Sequence, residues 1–137
     1  MPETNKELMR RVFEMVNSGD LARINDVIDG EMIEHEGVPG GPTSGPAAFI
    51  DFVTRFRAAF PDLRMTAEDT IAESDRIVCR FLMSGTHNGD FMGLAPSGKS
   101  FTIAGFDMIR CANGKIVEHW GVTDSYSFMQ QLGAIPT

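Results

Sequence analysis

The fold is decided by residues 101–124, which read FTIAGFDMIRCANGKIVEHWGVTD. Asn113-Gly114 lies between two apolar runs, and Asn-Gly in that setting is the strongest short-range signal of a two-residue hairpin turn. The stretch therefore predicts one strand from Phe101 to Ala112 and a second strand from Lys115 to Asp124.

The two-residue turn also predicts which residues of the hairpin face one another. In a regular hairpin, Trp120 lies opposite Asp107 and Asp124 lies opposite Ile103. Alternation then gives one face to Asp107, Trp120, Val122 and Asp124. The other face receives Phe106, Met108, Val117 and His119. A single β-bulge would reverse this assignment beyond it, because the side-chain period of a strand is two.

Earlier in the chain the apolar spacing is helical, which predicts three helices. The first runs from Thr4 until Gly19, the second from Asp20 to Asp29-Gly30, and the third from Pro46 until Pro61-Asp62. Thr4 and Glu7 form a capping box, Asp20 can cap the second helix, and Ser44 or Gly45 can cap the third. A Gly- and Pro-rich loop over residues 34–46 separates the second and third helices.

From Leu63 the period becomes alternating, which predicts strands. One side of the first strand carries Leu63, Met65, Ala67 and Ile71. A second strand runs from Ile77 to His87, and one or two helical turns follow the hairpin. Helices followed by a four-stranded antiparallel meander predict a single α+β domain over residues 1–137, with the helices packed on one face of the sheet.

The composition excludes several classes of function. The 137 residues carry 12 Lys and Arg against 19 Asp and Glu, so the formal net charge of −7 disfavours binding to nucleic acids and anionic membranes. There is no signal-peptide pattern, which predicts a cytoplasmic protein. Cys79 and Cys111 lack metal-ligand spacing and are expected to be buried thiols. No nucleotide, metal or serine-nucleophile motif occurs, so we expect chemistry without a cofactor.

Two aspartates are candidate acid–base groups. Asp124 beside Trp120 on a core-facing surface would have a raised pKa, since apolar surroundings disfavour the charged carboxylate. Its structural alternative is to cap the helical turns that follow the strand. Asp107 interrupts an apolar run, so it either belongs to a site or lies at an exposed edge.

The three histidines have different expected positions. His35 begins the Gly- and Pro-rich loop and could carry protons at a pocket mouth, or be solvated. His87 ends a strand and could donate a hydrogen bond to a ligand or cap that strand. His119 is turned away from Asp124 by alternation, so a subunit interface is the better interpretation. Aromatic and thioether side chains suit a pocket for flat apolar ligands, and the candidates are Phe49, Phe56, Phe91, Met92 and Trp120.

Three motifs together resemble the SnoaL-like polyketide cyclases, also called ester cyclases. They are Gly85-Thr86-His87-Asn88-Gly89-Asp90-Phe91-Met92-Gly93-Leu94-Ala95-Pro96-Ser97-Gly98-Lys99, then Gly114-Lys115-Ile116-Val117-Glu118-His119-Trp120, and Asp124. The resemblance spans nearly the whole chain. It implies an NTF2-like α+β barrel, a cone in which a curved antiparallel sheet wraps against helices, associated as homodimers or higher homo-oligomers.

The resemblance also implies an activity. Characterised members close the last ring of aromatic polyketide precursors by an intramolecular aldol condensation without a cofactor. Their acid–base aspartate matches Asp124 by its place after the His119-Trp120 pair, and His35, His87 and Asp107 are candidates for the assisting group. A non-catalytic protein that binds small apolar ligands, and an isomerase or epoxide hydrolase acting in the same pocket, remain alternatives because this fold supports many activities.

Overall fold

The computed structural model describes residues 2–136 and consists of three α-helices and five strands. The helices are α1 (Pro2–Ser18), α2 (Gly45–Ala59) and α3 (Ser125–Gln131). The strands are β1 (Ile28–Glu34), β2 (Arg64–Glu73), β3 (Arg76–Thr86), β4 (Ser100–Ala112) and β5 (Lys115–Thr123). Within the described residues, no helix is long and apolar enough to cross a membrane.

The five strands form one sheet in the order β1-β5-β4-β3-β2. Strands β2 to β5 pair antiparallel in chain order, which confirms the predicted meander, while β1 pairs parallel with β5. Helices α1 and α2 pack on one face of this sheet, which we call the inner face. The opposite face is the outer face. The predicted α+β class is confirmed.

The predicted second helix is wrong. Only a 3₁₀ turn over Ile24–Asp26 forms there, and β1 follows at once. Val27 and Ile28 fit a helical period locally, but the backbone pairs with β5 instead: the Ile116 N–H donates to the Val27 carbonyl at 2.8 Å. The predicted capping box is also wrong, because α1 begins at Pro2 and Thr4 therefore lies inside its first turn.

The turn of the β4–β5 hairpin is confirmed, but its predicted register is wrong. Asn113-Gly114 has φ angles of 53° and 77°, and Cys111 pairs with Ile116 as expected. The next pair is Arg110 with Glu118, so β5 holds one extra residue in a bulge. Every side chain of β5 beyond the bulge therefore changes face.

This bulge decides which side chains reach the inner face. Trp120 pairs with Met108 rather than with Asp107, and Asp107 pairs with Gly121. His119 consequently lies on the inner face and Trp120 on the outer face, the reverse of the prediction. A second bulge in β2 has a similar effect: Met65 is buried ahead of it, whereas Ile71, predicted to share its side, is 68% exposed.

The end of α1 is fixed by the side chains of Asn17, in α1 itself, and Arg57, in α2. The Asn17 Nδ2 donates to the Met65 carbonyl at 2.9 Å, and the Met65 N–H donates back to Asn17 Oδ1 at 2.7 Å. The Arg57 guanidinium donates to the carbonyls of Val16 and Asn17. The Arg57 bonds supply partners for carbonyls that a helix end leaves without intrahelical donors. Together with the Asn17 bonds, they tie α1 to α2 and β2. Cys79 and Cys111 are free, buried thiols, as predicted.

Candidate acid–base site in the inner cavity

A cavity of about 430 Å³ lies between helices α1 and α2 and the inner face of the sheet. Small-molecule pockets span about 300–1,000 Å³, so this volume suits such a ligand. Most of the wall is apolar, and its aromatic and thioether side chains include Phe49, Phe52, Phe56, Phe91, Met92 and Phe128. The structure places Phe49, Phe56, Phe91 and Met92 on the wall, and their role in substrate binding stays a prediction.

One end of the cavity is polar and centred on His119. The His119 Nδ1 is 2.5 Å from Glu34 Oε2, and its Nε2 is 2.9 Å from Asp107 Oδ1. The backbone N–H of Glu36 donates to the same Glu34 oxygen at 3.0 Å. All four residues line the cavity. The imidazole therefore bridges two carboxylates, and a third carboxylate stands beside them.

The strand register brings this cluster together. Glu34, at the end of β1, is the parallel partner of His119. Asp107 on β4 is the antiparallel partner of Gly121, two residues beyond His119 on the same face of β5. A Cβ at residue 121 would lie 2.6 Å from Asp107 Oδ1 and 3.3 Å from His119 Cε1. Glycine at this position therefore leaves the room that the Asp107–His119 hydrogen bond requires.

The two carboxylates change the protonation of His119. Burial alone, the largest single effect, lowers its pKa, but the hydrogen bonds and charges of Asp107 and Glu34 together outweigh burial and raise the pKa to about 10. His119 is therefore an imidazolium at neutral pH, donating from both ring nitrogens.

Glu36 lies in a different environment from Glu34 and Asp107. Burial is the main cause that raises the pKa of the Glu36 carboxyl. The positive charge of His119 lowers that pKa, and the negative charges of Asp107 and Glu34 raise it further. The cavity end thus holds an imidazolium with a raised pKa and a carboxylate with a raised pKa, an arrangement that can donate and accept protons.

Trp120 and His35 do not line this cavity. Their rings stack on the outer face with centroids 5.0 Å apart, and the Arg76 guanidinium lies 5.1 Å from the Trp120 ring. The His35 Nε2 is 2.7 Å from Glu118 Oε2, whose other oxygen accepts from Arg110 at 2.9 Å. The expectation that His35 lies at the pocket mouth and Trp120 beside Asp107 is therefore wrong in geometry, because β1 is a strand and the β5 bulge inverts the faces.

Asp124 adopts the structural alternative considered from the sequence. It is exposed at the start of α3, where its Oδ1 accepts from the Ser127 N–H at 3.1 Å. Its own N–H donates to the Ala104 carbonyl, so the predicted pairing with Ile103 is wrong. Thr123 and Ser125 line the cavity rim on either side of it. The catalytic role implied by the resemblance stays a prediction.

His87 is buried, with 1% of its surface exposed, and anchors the loop over residues 88–98. Its Nδ1 lies 2.9 Å from Ser97 Oγ and accepts from the Ser97 N–H at 3.3 Å. Its backbone pairs with Gly98 and Lys99. The same loop carries the cavity residues Phe91 and Met92, so His87 positions part of the wall. Its predicted role in substrate binding remains a prediction.

The sequence analysis missed three members of the cluster: Glu34, Glu36 and the inward-facing His119. The sequence places Glu34 at the start of the Gly- and Pro-rich loop, and it gives no strand over Ile28–Glu34. His119 was assigned to a subunit interface because the bulge carries no local sequence signal. Within residues 2–136, no group of His, Cys, Asp or Glu side chains is arranged to hold a metal ion.

An α+β cone with an apolar cavity and an acid–base cluster at one end defines a class of small-molecule-binding folds. Within this class, the sequence pattern of the SnoaL-like polyketide cyclases matches residues 6–132. The chain belongs to the SnoaL-like polyketide cyclase family.

Individual relatives and structures agree with this membership. The chain is 28% identical over 132 residues to the aklanonic acid methyl ester cyclase DnrD of Streptomyces peucetius, a match that covers 95% of this chain and 91% of that protein. Its fold is similar to that of TsrD from Streptomyces laurentii (TM-score 0.89, 24% identity, 98% of each chain). It also resembles IdmH from Streptomyces antibioticus (TM-score 0.83, 28% identity, 94% of this chain and 98% of the other).

Proposed function

We propose that this protein closes a ring of an apolar polyketide-type carbonyl compound by an acid–base intramolecular aldol reaction. The observation that carries the proposal is the Glu34–His119–Asp107 cluster at one end of an otherwise apolar cavity. Family membership supports the substrate class, since the relatives include methyl ester cyclases of aklanonic and nogalonic acids.

The reaction balances with groups that the cavity supplies. A carboxylate takes a proton from a carbon flanked by carbonyl groups, and the C–H electrons form an enolate. The enolate carbon bonds to a ketone carbon of the same molecule, whose C=O electrons become an alkoxide. The carboxylic acid then returns the proton to that alkoxide. The apolar wall holds the two carbons together, which contributes by proximity.

Turnover of an anthraquinone-type β-keto methyl ester tests this function. Ring closure conserves mass, so retention time and absorption spectrum report it. We expect the wild type to form a new isomer, Asp107→Asn to be about 100-fold slower through loss of a charge partner of His119, and Asp124→Asn to retain turnover. If Asp124→Asn abolishes turnover while Asp107→Asn does not, the acid–base group is Asp124, as the resemblance implied. An ester left unchanged by the wild type contradicts the aldol function.

We also propose that two copies associate through the outer face. Phe106 and Val122 are 50% and 62% exposed there, and they border a shallow groove shared with Val78, Met108 and Trp120. Contiguous exposed apolar residues mark interaction surfaces. The resemblance implies a homodimer, and a two-fold axis would set this patch against its own copy.

A further inference from the structure

We propose that Glu36 is the catalytic base that removes the carbon-bound proton, while Glu34 and Asp107 act as positioning residues that hold the His119 imidazolium. This assignment rests on the proposed aldol function. The three neighbouring carboxylates thus have two different roles, which we assign from the contacts that each carboxylate makes.

The position of Glu36 suits a base that acts on a bound ligand. It follows β1 by two residues, where the chain turns along the cavity mouth with Gly37 and Val38. Its backbone N–H donates to Glu34 Oε2 at 3.0 Å, which ties this short segment to the cluster. The residue lines the cavity and is exposed to solvent. A ligand in the cavity would therefore meet this carboxylate.

The three carboxylates differ in what already binds them. Glu34 and Asp107 each accept a hydrogen bond from the imidazolium. An oxygen that already accepts a hydrogen bond from a cation is less available to take a proton from a substrate. Among residues 2–136, no donor bonds to the Glu36 side chain. Its oxygens are therefore available to a substrate proton.

The charges around Glu36 strengthen it as a base. Glu34 from β1 and Asp107 from β4 raise its pKa in addition to burial, and His119 from β5 lowers it. The balance is a raised pKa, and a carboxylate of raised pKa accepts a proton more readily than an ordinary glutamate.

The proton returns along the same path. Breaking the substrate C–H bond transfers the proton to a Glu36 oxygen and leaves the electron pair in the enolate. Formation of the new C–C bond converts the ketone C=O into an alkoxide. The protonated Glu36 then gives its proton to that alkoxide, so the base is regenerated and no other reactant is consumed.

The test compares Glu36→Gln and Glu36→Asp with the wild type on the anthraquinone-type β-keto methyl ester. Glu31→Gln is the matched control, since Glu31 is an exposed glutamate of β1 that does not line the cavity. We expect kcat of Glu36→Gln to fall about 100-fold or more with KM little changed. The low-pH limb of the kcat/KM profile should disappear in Glu36→Gln. Glu36→Asp, which keeps a carboxylate, should retain part of the activity and that limb.

Each outcome separates this proposal from the function on which it rests. If the wild type and Glu31→Gln convert the ester and Glu36→Gln does so equally well, another group is the base, and the aldol function stands. A Glu36→Gln variant with raised KM and unchanged kcat assigns Glu36 to binding alone, which overturns the base role. If the wild type itself leaves the ester unchanged, the aldol function and the base role both fail.

Discussion

Two histidine–glutamate pairs connect the end of β1 and the residue after it to β5, one on each face of the sheet. On the inner face Glu34 binds His119, which also binds Asp107. On the outer face Glu118 binds His35 and also accepts from Arg110. Both pairs consist of one histidine and one glutamate. Surroundings therefore decide what each pair can do.

The inner pair lies in a cavity wall with a second carboxylate, and the pKa of its histidine rises to about 10. In the outer pair, the hydrogen bond from His35, followed by that from Arg110, lowers the pKa of Glu118. That carboxylate is held ionised by two donors, 42% of the His35 side chain is exposed, and the pair faces away from the cavity. The comparison predicts function for the inner pair alone.

The largest expected effect on turnover comes from removing a carboxylate that contacts the inner histidine, and the matching removal on the outer face is the control. Asp107→Asn should slow ring closure about 100-fold, because His119 loses a carboxylate that holds its proton and orientation. Glu118→Gln is the matched control on the outer face. Its turnover should stay within about twofold of wild type, because Glu118 does not line the cavity. Steady-state kinetics of the two variants on the β-keto methyl ester give the measurement. Equal losses of turnover in the two variants would contradict a functional difference between the inner and outer faces.

A smaller effect is expected from filling the space at residue 121. In Gly121→Ala the new Cβ would lie 2.6 Å from Asp107 Oδ1, so the carboxylate must move. We expect turnover about tenfold slower, since a displacement of about 1 Å costs up to about 100-fold. Gly30→Ala is the control, because a Cβ there meets nothing within 4 Å. A Gly121→Ala enzyme with the activity of wild type would show that the Asp107–His119 contact is not needed.

The cluster should also make stability depend on pH. The pKa of His119 is about 10 in the folded chain against an ordinary value of 6.5, so its protonation stabilises the fold fully below pH 6.5. This contribution is lost as pH rises towards 10. The melting temperatures of wild type and His119→Gln, measured at pH 6, 8 and 10, should converge as pH increases. A constant difference across that range would contradict a raised pKa.

The smallest effect on catalysis is expected from the outer face. Phe106→Asp places a charge in the exposed apolar patch, and two such charges across a two-fold axis would repel. We expect the dimer to become a monomer, measured by size-exclusion chromatography with light scattering, while turnover changes little. A wild type that is already monomeric would contradict the proposed dimer.

Much of the fold follows from local sequence signals. Asn113-Gly114 fixes the hairpin turn, and the change from helical to alternating period at Leu63 marks the start of the sheet. Local signals fail where pairing with a distant strand decides whether a segment forms a helix or a strand. Leu21, Ile24, Val27 and Ile28 fit a helical period, but the chain from Ile28 onward pairs with the edge of β5 and forms a strand.

The candidate site was harder to predict, because it depends on one bulge. Asp107 interrupts an apolar run in the sequence and lies on the cavity wall, and its acid–base role stays a prediction. Helical spacing predicts Phe49 and Phe56 on one face of their helix, and both line the wall. The extra residue between Ile116 and Glu118 has no signature in side-chain type, yet it moves His119 inward and Trp120 outward. Asp124 was favoured by its place after the His119-Trp120 pair, whereas the structure shows its carboxylate capping α3.

The most direct test of this account is the protonation state of His119, read by ¹⁵N NMR of the imidazole nitrogens between pH 6 and 11. Comparison with His119→Gln assigns the signals. We predict that both nitrogens stay protonated at pH 8 and that the ring titrates near pH 10. A ring that is already neutral at pH 8, with one bare nitrogen, would contradict the imidazolium held between Glu34 and Asp107.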